Sequence, residues 1–365
     1  MKNQHLILLA LSITVLSCKA QKTAITEQHW GNIDSEKITL YTLTNSKGMV
    51  VKITNLGGII TSVVVPDKNG NMDDVVLGFD NLQQYTEPHP CFGAVIGRVA
   101  NRIRNAEFAI DSVTYHLDAN NNKHCSHGAN EFDKTVWESE IIENELGKGI
   151  KMHYFSPDGT KGFPGNVDAY VTYNLTDDDA IHVKFEAVTD KATHINMTLH
   201  SYFNLTGCKE PIYKHIITLD ADNYTEIDAD IVPTGSISTV KGTDWDLTSP
   251  TPIGENIHKL NHGGYHFNYC FNKPIGEFKK VIDVYEPASG RTLEVSTTQP
   301  GVQFYSGNAI SDQLIGKGTQ YGKHMAFCLE TQHYPNTPNC PNFPPTLIRP
   351  GEKYEEVVIY DFGVK

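Results

Sequence analysis

The sequence predicts an all-β protein, a large β-sandwich or barrel, and three observations lead to that prediction. Short runs rich in β-branched and aromatic residues recur along the chain, bounded by Gly, Pro, Asn and Asp. No segment keeps a 3.6-residue apolar period over three helical turns. The 365 residues can bury a sizeable core, and no linker divides them after about residue 30. We therefore expect one domain over residues 31–365.

Individual strands and hairpins follow from this pattern. Residues 108–110 and 113–117 flank the turn Asp111-Ser112, and residues 169–175 and 180–188 flank the acidic turn at 177–179. A short helical turn is expected around residues 255–260. The other predicted strands are 49–55, 59–65, 74–79, 281–285 with its hairpin partner 292–296, and a last strand at 355–361.

The first eighteen residues are predicted to be a signal peptide with a lipobox. Lys2 precedes an apolar run at 5–16, which is shorter than the ~20 residues that span a bilayer. The following Val15-Leu16-Ser17-Cys18 resembles a bacterial lipobox, in which the cysteine is lipidated. The alternative is an ordinary signal cut after Ala20. Both imply export to the periplasm, and the first adds membrane anchoring through Cys18, with residues 19–30 as a short tether.

Charge and composition exclude several classes of partner. The formal net charge of -13 and the lack of a basic cluster argue against nucleic acid and anionic membrane surfaces. Membrane contact is expected only through the lipid, and the chain is expected to be a monomer or weak dimer. The six cysteines after Cys18 form no CxxC pair, so we expect mostly buried free thiols. No cofactor motif is present, and His124 with His127 alone is a weak metal signal.

Four polar clusters lie where predicted strands meet turns, at residues 92–103, 127–128, 198–205 and 328–335. Two of them place an ionisable residue directly after an apolar one, in Leu199-His200 and Leu329-Glu330. Either residue could face a pocket and act as a general acid or base. By residue type alone, however, a histidine in a strand is more often a hydrogen-bonded core residue, and a glutamate is more often a solvated edge residue.

Longer strings in these clusters resemble one known family. They are FGAVIGRVANRI at 92–103, HSYFNL at 200–205, PGVQFYSGN at 300–308, CLETQHYP at 328–335 and NFPPTLIRPGEKY at 342–354. In this order and spacing they are similar to the galactose mutarotase type of aldose 1-epimerase, from about Ile33 onward. The resemblance implies a β-supersandwich with one hexose site. It also implies interconversion of the α and β anomers of sugars such as glucose and galactose, without metal or cofactor.

The resemblance also implies roles for particular residues. His200 matches the general acid of the family and Glu330 its general base. The matched sugar contacts are Asn101, Arg102, His127, Asp246 and Gln303. Two positions depart from the common pattern: Leu199 replaces Asn, and His266-Phe267 replaces Asp-His. The second departure exchanges an anion for an imidazole, so the sugar preference is expected to differ.

Three other functions are compatible with the same observations. A non-catalytic sugar-binding protein would keep the pocket but would not need both His200 and Glu330. An epimerase of phosphorylated sugars would need a basic phosphate clamp, and export makes that substrate class a poor match. A structural envelope protein would be expected to carry repeats or adhesive apolar segments, which the sequence lacks.

Overall fold

A computed structural model of the chain describes residues 23–365, and within them β-strands dominate. The predicted all-β fold is confirmed, and the longest helix among these residues, Leu82–Thr86, has five residues. The predicted signal peptide, the lipobox with Cys18 and residues 19–22 of the tether lie outside the described residues. No helix of the described part is long and apolar enough to cross a membrane.

The first sheet has five antiparallel strands in chain order, Ala24–Ile33, Glu36–Thr44, Val50–Thr54, Ile60–Pro66 and Met72–Asp74. Its first strand corrects the predicted tether, because residues 24–29 pair with the strand Glu36–Thr44 and Trp30 lies at a bulge within that pairing. That strand is an edge strand with mostly exposed side chains, so it carries no apolar alternation in the sequence.

A nine-stranded antiparallel sheet forms the largest layer. Its strands, in spatial order, are Glu138–Asn144, Gly147–Ser156, Val167–Leu175, Ala180–Thr189, Tyr354–Val364, Arg291–Thr297, Lys279–Tyr285, Ile216–Leu219 and Thr251–Pro252. The C-terminal strand Tyr354–Val364 lies near its centre, between two hairpins. The predicted hairpins 169–175 with 180–188 and 281–285 with 292–296 are confirmed here.

The third sheet positions the candidate site. Its six strands, in spatial order, are Tyr202–Phe203, Phe327–Gln332, Gly301–Tyr305, His266–Cys270, Asn223–Ile227 and Pro233–Thr239. Side chains alternate between the two faces of a strand. Leu329 and Phe304 therefore enter the main hydrophobic core, which all three sheets share. Glu330 and Gln303, one residue along, lie on the opposite face.

Short elements complete the fold. Two-stranded ladders join Val95–Ile96 with Thr198–Leu199, Arg102–Ile103 with Cys125–Ser126, Glu107–Ile110 with Val113–His116, Thr193–His194 with Leu347–Ile348, and Ile315–Gly316 with Thr319–Gln320. The other α-helical turns are His127–Asn130 and Ile253–Asn256. The 3-10 turns are Arg104–Ala106, Phe132–Lys134, Thr160–Gly162, Ile212–Lys214, Ile257–Lys259, Asn261–Gly263 and Thr337–Asn339.

Most of the local predictions are confirmed, and one is wrong. The hairpin around residues 108–117 and the helical turns at 255–260 are present. The predicted strand 74–79 instead ends at Asp74, with a single bridge at Val76. The Asp74 carboxylate accepts the N–H groups of Val63 and Val76 at 3.0 and 3.2 Å, so a side chain takes the place of a backbone partner there. Within residues 23–365 all six cysteines are buried and free, as predicted.

Candidate active site

The candidate site is a cavity of about 220 Å³ on the face of the six-stranded sheet that points away from the main core. Five of the seven predicted acid–base and sugar-contact residues belong to it directly: Asn101, Arg102, His127, His200 and Glu330. The remaining lining residues are Pro90, Cys91, Asn121, Ser126, Tyr202, His266 and Tyr305. The lining is mostly polar and aromatic, which suits a small hydroxylated ligand.

His200 directly follows the strand Thr198–Leu199, which pairs with Val95–Ile96. Backbone bonds to Ala94 and Gly93 fix the position of its main chain. Its ring stacks on Tyr202, with centroids 5.0 Å apart and an interplanar angle of 12°. Its Nδ1 lies 3.5 Å from the Cys328 thiol. These contacts hold one imidazole orientation, and burial lowers the pKa of His200 to about 4.

Glu330 lies in the strand Phe327–Gln332, opposite Gln303 of the neighbouring strand. Its Oε2 is 3.7 Å from His200 Nε2 and forms no hydrogen bond within the described chain. The residue is 2% exposed, and burial raises the pKa of Glu330 to about 8, although Arg102 opposes this rise. Because burial places the pKa of Glu330 above that of His200, the reverse of their ordinary order, the pair retains one proton between about pH 4 and 8.

The two arginines of the first motif have different surroundings. Arg98 is fully buried and donates to Ser156 and to the carbonyl groups of Pro157, Pro164 and Gly165, so it braces the fold. Arg102 lines the cavity, and its buried Nε has no hydrogen-bond partner among the described residues. An unpaired buried guanidinium nitrogen is costly, so a ligand acceptor would stabilise it.

Asn101 and Gln303 form a connected pair beside the acid–base groups. Asn101 Nδ2 donates to Gln303 Oε1 at 3.1 Å, and both residues are at least 95% buried. Gln303 does not line the cavity itself, but it lies directly across the sheet from Glu330. The structure therefore brings Gln303 to the site as a support for Asn101.

His127 packs over His200, with ring centroids 5.1 Å apart. The backbone N–H of Asn101 donates to His127 Nδ1 at 3.4 Å, so a neutral ring carries its proton on Nε2 and can donate it to a ligand. Burial lowers the pKa of His127 well below its ordinary value. The next residue must be glycine, because a Cβ on Gly128 would lie 1.9 Å from the Gly97 carbonyl oxygen.

Asp246 is a correction to the sequence prediction, because it does not line this cavity. Its carboxylate accepts the backbone N–H and the hydroxyl of Thr248 at 3.0 and 2.6 Å, within its own turn. The residue that lines the cavity is His266, whose Nε2 is 3.4 Å from Arg102 Nη1. Burial, and then the Arg102 charge, lower the pKa of His266 to about 3.

The two departures from the family pattern have different consequences. The Leu199 side chain belongs to the main hydrophobic core, opposite the cavity face of its neighbour His200, so that departure does not touch the site. His266 does touch it. The cavity lining therefore contains a single carboxylate, Glu330, among the residues that the structure describes.

Two lining residues were quoted in the motifs without a predicted role. Tyr202 and Tyr305 lie two positions after His200 and Gln303 along nearly extended chain. Side chains two apart on a strand share a face. That spacing could have identified both tyrosines from the sequence.

The same residues also include a possible metal-ligand set. One donor atom each from His127, His200 and Glu330 lie within 4.8 Å of one another. Two imidazoles and one carboxylate with an open position suit a divalent transition metal. His124 is not part of this set, because it accepts the N–H of Asn105 at 3.0 Å and lies 3.2 Å from Asp230. Metal-independent activity stays a prediction.

A buried imidazole–carboxylate pair in a polar cavity defines an acid–base site for a small hydroxylated molecule. The family model described as "Aldose 1-epimerase" matches residues 39–361. The chain belongs to the aldose 1-epimerase family.

Named relatives agree with this assignment. The chain is 44% identical over 317 residues to the galactose mutarotase of Pongo abelii, covering 86% of this chain and 91% of that one. It is 43% identical to the galactose mutarotase of Homo sapiens, with the same coverage. It is 33% identical over 338 residues to the aldose 1-epimerase of Escherichia coli K12, covering 90% and 96%.

Solved structures share the fold. An aldose epimerase homologue from C. elegans superposes with a TM-score of 0.81 at 26% identity, covering 87% of this chain and 96% of that one. A galactose 1-epimerase structure from Lactobacillus acidophilus gives a TM-score of 0.81 at 24% identity, covering 94% and 99%. The galactose mutarotase-like sandwich that the resemblance implied is therefore confirmed.

Proposed function

We propose that this enzyme, an isomerase of the aldose 1-epimerase type, interconverts the α and β anomers of hexoses such as glucose and galactose through His200 and Glu330. The observation that carries the assignment of these two residues is their buried pair, with Nε2 and Oε2 3.7 Å apart at the cavity. Family membership supports the overall reaction.

The reaction needs one proton removed and one proton supplied. Ring opening removes the proton of the anomeric hydroxyl and protonates the ring oxygen, which leaves an open-chain aldehyde. Rotation about the C1–C2 bond and reclosure on the other face of the carbonyl give the second anomer. The proton count of the enzyme is unchanged, so a pair that carries one proton is sufficient. Positioned proton transfer of this kind contributes roughly 10²–10⁴ in rate.

We assign Glu330 as the base and His200 as the acid. In the free site, burial favours the proton on Glu330, since the pKa of Glu330 is raised to about 8 and that of His200 is lowered to about 4. Sugar hydroxyl groups that donate to the carboxylate would favour its ionised form and move the proton to His200. This transfer needs no proton from solvent, because the pair carries one proton both before and after it.

The remaining lining groups would bind and orient the sugar. Arg102 offers the unpaired N–H of its Nε, and His127 offers its Nε2 proton. Charged hydrogen bonds to hydroxyl groups contribute about 1.5–3 kcal/mol each. Asn101, held by Gln303, and the imidazole of His266 complete the polar wall.

Anomer exchange on the purified enzyme tests this proposal. Exchange spectroscopy on galactose and glucose should show catalysed interconversion, and Glu330→Gln should lower the rate by about 10²–10⁴ with little change in sugar affinity. Glu286→Gln, a buried glutamate outside the cavity, is the matched control and should keep the wild-type rate. Binding without exchange in the wild type would instead support a sugar-binding protein. Turnover that is competed only by glucose 6-phosphate would support a phosphosugar epimerase.

We further propose that the protein is exported and held at the periplasmic side of a membrane by a lipid on Cys18. The support is the sequence alone, in the apolar run at 5–16 and the lipobox-like Val15-Leu16-Ser17-Cys18. At this location we expect a monomer or weak dimer that acts on free aldoses. Cleavage after Ala20 remains the alternative, and labelling of Cys18 distinguishes the two.

A further inference from the structure

A second cavity, of about 270 Å³, lies on the other side of the six-stranded sheet from the candidate active site. The strand His266–Cys270 contributes to both, because His266 lines the catalytic cavity and Phe267 lines the second one. Adjacent residues of a strand point to opposite faces. The two cavities are therefore separate sites of similar size, and the mechanism described above does not use the second one.

One wall of this second cavity is aromatic. Trp245 stacks on Phe267, with ring centroids 5.0 Å apart and an interplanar angle of 19°. Tyr224 meets both rings edge-on, at 5.4 Å from Trp245 and 5.9 Å from Phe267. Trp245 and Tyr224 are only partly buried, at the margin of the main core. This packing fixes the three rings, so they present a rigid surface to the cavity.

The rest of the lining is mostly polar, with Ile227 and Leu260 as its apolar members. Asn261 and His262 line the cavity, and their side chains form no hydrogen bond with another residue of the described chain. Glu226 accepts the Ser238 hydroxyl at 2.5 Å through one carboxylate oxygen. The indole Nε1 of Trp245 is buried and has no acceptor within residues 23–365. An unpaired buried donor is costly, and water or a ligand hydroxyl would satisfy it.

We propose that this second cavity binds a pyranose ring of a glycan, as a carbohydrate-binding site distinct from the catalytic one. One face of a pyranose carries C–H groups, which match the negative face of an aromatic ring. Its edge carries hydroxyl groups that donate and accept, which match the carboxylate, amide and imidazole groups of Glu226, Asn261 and His262.

Charge excludes the main alternatives. Two carboxylates, Glu226 and Asp244, face one cation, Lys259, so a phosphate or sulfate ligand would be repelled. A quaternary ammonium ion would prefer an aromatic cage without a lysine. Here Lys259 Nζ lies 3.4 Å from Asp244 and 2.8 Å from Asn256 Oδ1, on the cavity wall. A neutral, hydroxyl-rich ring remains as the matching chemistry.

Calorimetric titration of the full protein tests this proposal. The probes are the methyl β-glycosides of galactose, glucose and xylose and of their β-1,4-linked disaccharides, which cannot mutarotate. We expect two binding sites in the wild type for at least one probe, with dissociation constants near the millimolar range typical of single rings. Trp245→Ala should weaken one site at least tenfold and leave the other site unchanged.

Two further variants keep the test independent of folding. Asn261→Ala and Glu226→Gln change the polar rim only, and each should weaken the same site about three- to tenfold. Anomer exchange of galactose should stay within twofold of the wild type in all three variants, which also shows that they fold. A single site in the wild type for every probe would overturn the proposal. It would also be overturned if choline bound the second cavity in place of the glycosides.

Discussion

Replacing Glu330 with glutamine should stabilise the fold while it removes activity. The carboxyl group is 2% exposed, and burial raises the pKa of Glu330 from 4.5 to about 8. The native state therefore binds more protons than the unfolded state between these two values, so stability falls as the pH rises through that range. Glutamine has the same shape and is neutral at every pH, so the variant avoids this loss.

The size of the effect follows from the pKa displacement. Each pH unit between 4.5 and 8 lowers the unfolding free energy of the wild type by about 1.4 kcal/mol. The sum is about 3 kcal/mol at pH 7 and about 5 kcal/mol above pH 8, and it vanishes below pH 4.5.

Urea unfolding of both proteins at pH 4.5, 6, 7 and 8 measures this difference. The curves should coincide at pH 4.5 and separate steadily above it, with Glu330→Gln the more stable. Glu286 is the matched control, because it is also buried, at 1% exposed, but its pKa is lowered and not raised. Burial alone would raise the pKa of Glu286, and the N–H groups of Ser289 and Ala288 outweigh it, so the net pKa is lowered.

The stability of the control variant should change in the opposite direction. Glu286→Gln should be less stable than the wild type at pH 7, because a carboxylate held by backbone N–H groups is lost. A Glu330→Gln protein whose extra stability does not change between pH 4.5 and 8 would refute the reasoning, since a packing effect has no such pH dependence. Equal behaviour of the two variants would refute it as well.

Five other outcomes are expected. The pH profile of kcat/KM for galactose should be bell-shaped. It should fall below about pH 4, where the His200–Glu330 pair gains a second proton, and above about pH 8, where the pair loses its only proton. Glu330→Gln should retain a single limb of this profile, and a flat wild-type profile would exclude the pair. His200→Asn should lower turnover by about 10²–10⁴, and the double variant should lose far less than the product of the single losses, whereas multiplied losses would show independent roles. Exhaustive chelation should leave anomer exchange unchanged, and a loss restored by zinc would contradict this. His266→Asp should change the ratio of galactose to glucose turnover more than the faster rate, and a palmitate analogue should label the wild type but not Cys18→Ala.

Hairpins were predictable because both strands and the turn between them lie close together in the sequence. The turn at 177–179 and its flanking apolar runs are an example, and the structure pairs those runs over their whole length. The edge strand Ala24–Ile33 was missed, because its exposed side chains carry no apolar alternation. The predicted strand 74–79 failed for another reason, since the side chain of Asp74 competes with backbone pairing.

The site was only partly predictable. His200 and Glu330 became candidates because each follows an apolar residue in a motif, but only the family resemblance implied their roles, since they lie 130 positions apart in the chain. Asp246 was assigned by motif similarity, and the hydrogen bonds of its own turn hold its carboxylate outside the catalytic cavity. The partners of Arg102 could not be predicted, because His266 reaches it from a strand more than 160 residues away.

The protonation of the acid–base pair shows most clearly what the sequence lacks. Ordinary pKa values, 4.5 for glutamate and 6.5 for histidine, would place the proton on the imidazole and the charge on the carboxylate. Desolvation opposes both charges and reverses that order, and it arises only in the folded chain, where the six-stranded sheet with Tyr202 and the helical turn at His127 surround the pair. The same burial destabilises the fold at neutral pH and, in the proposed mechanism, lets the pair exchange one proton with a sugar instead of with water. The expected stabilisation of Glu330→Gln and its expected loss of activity therefore have one physical cause.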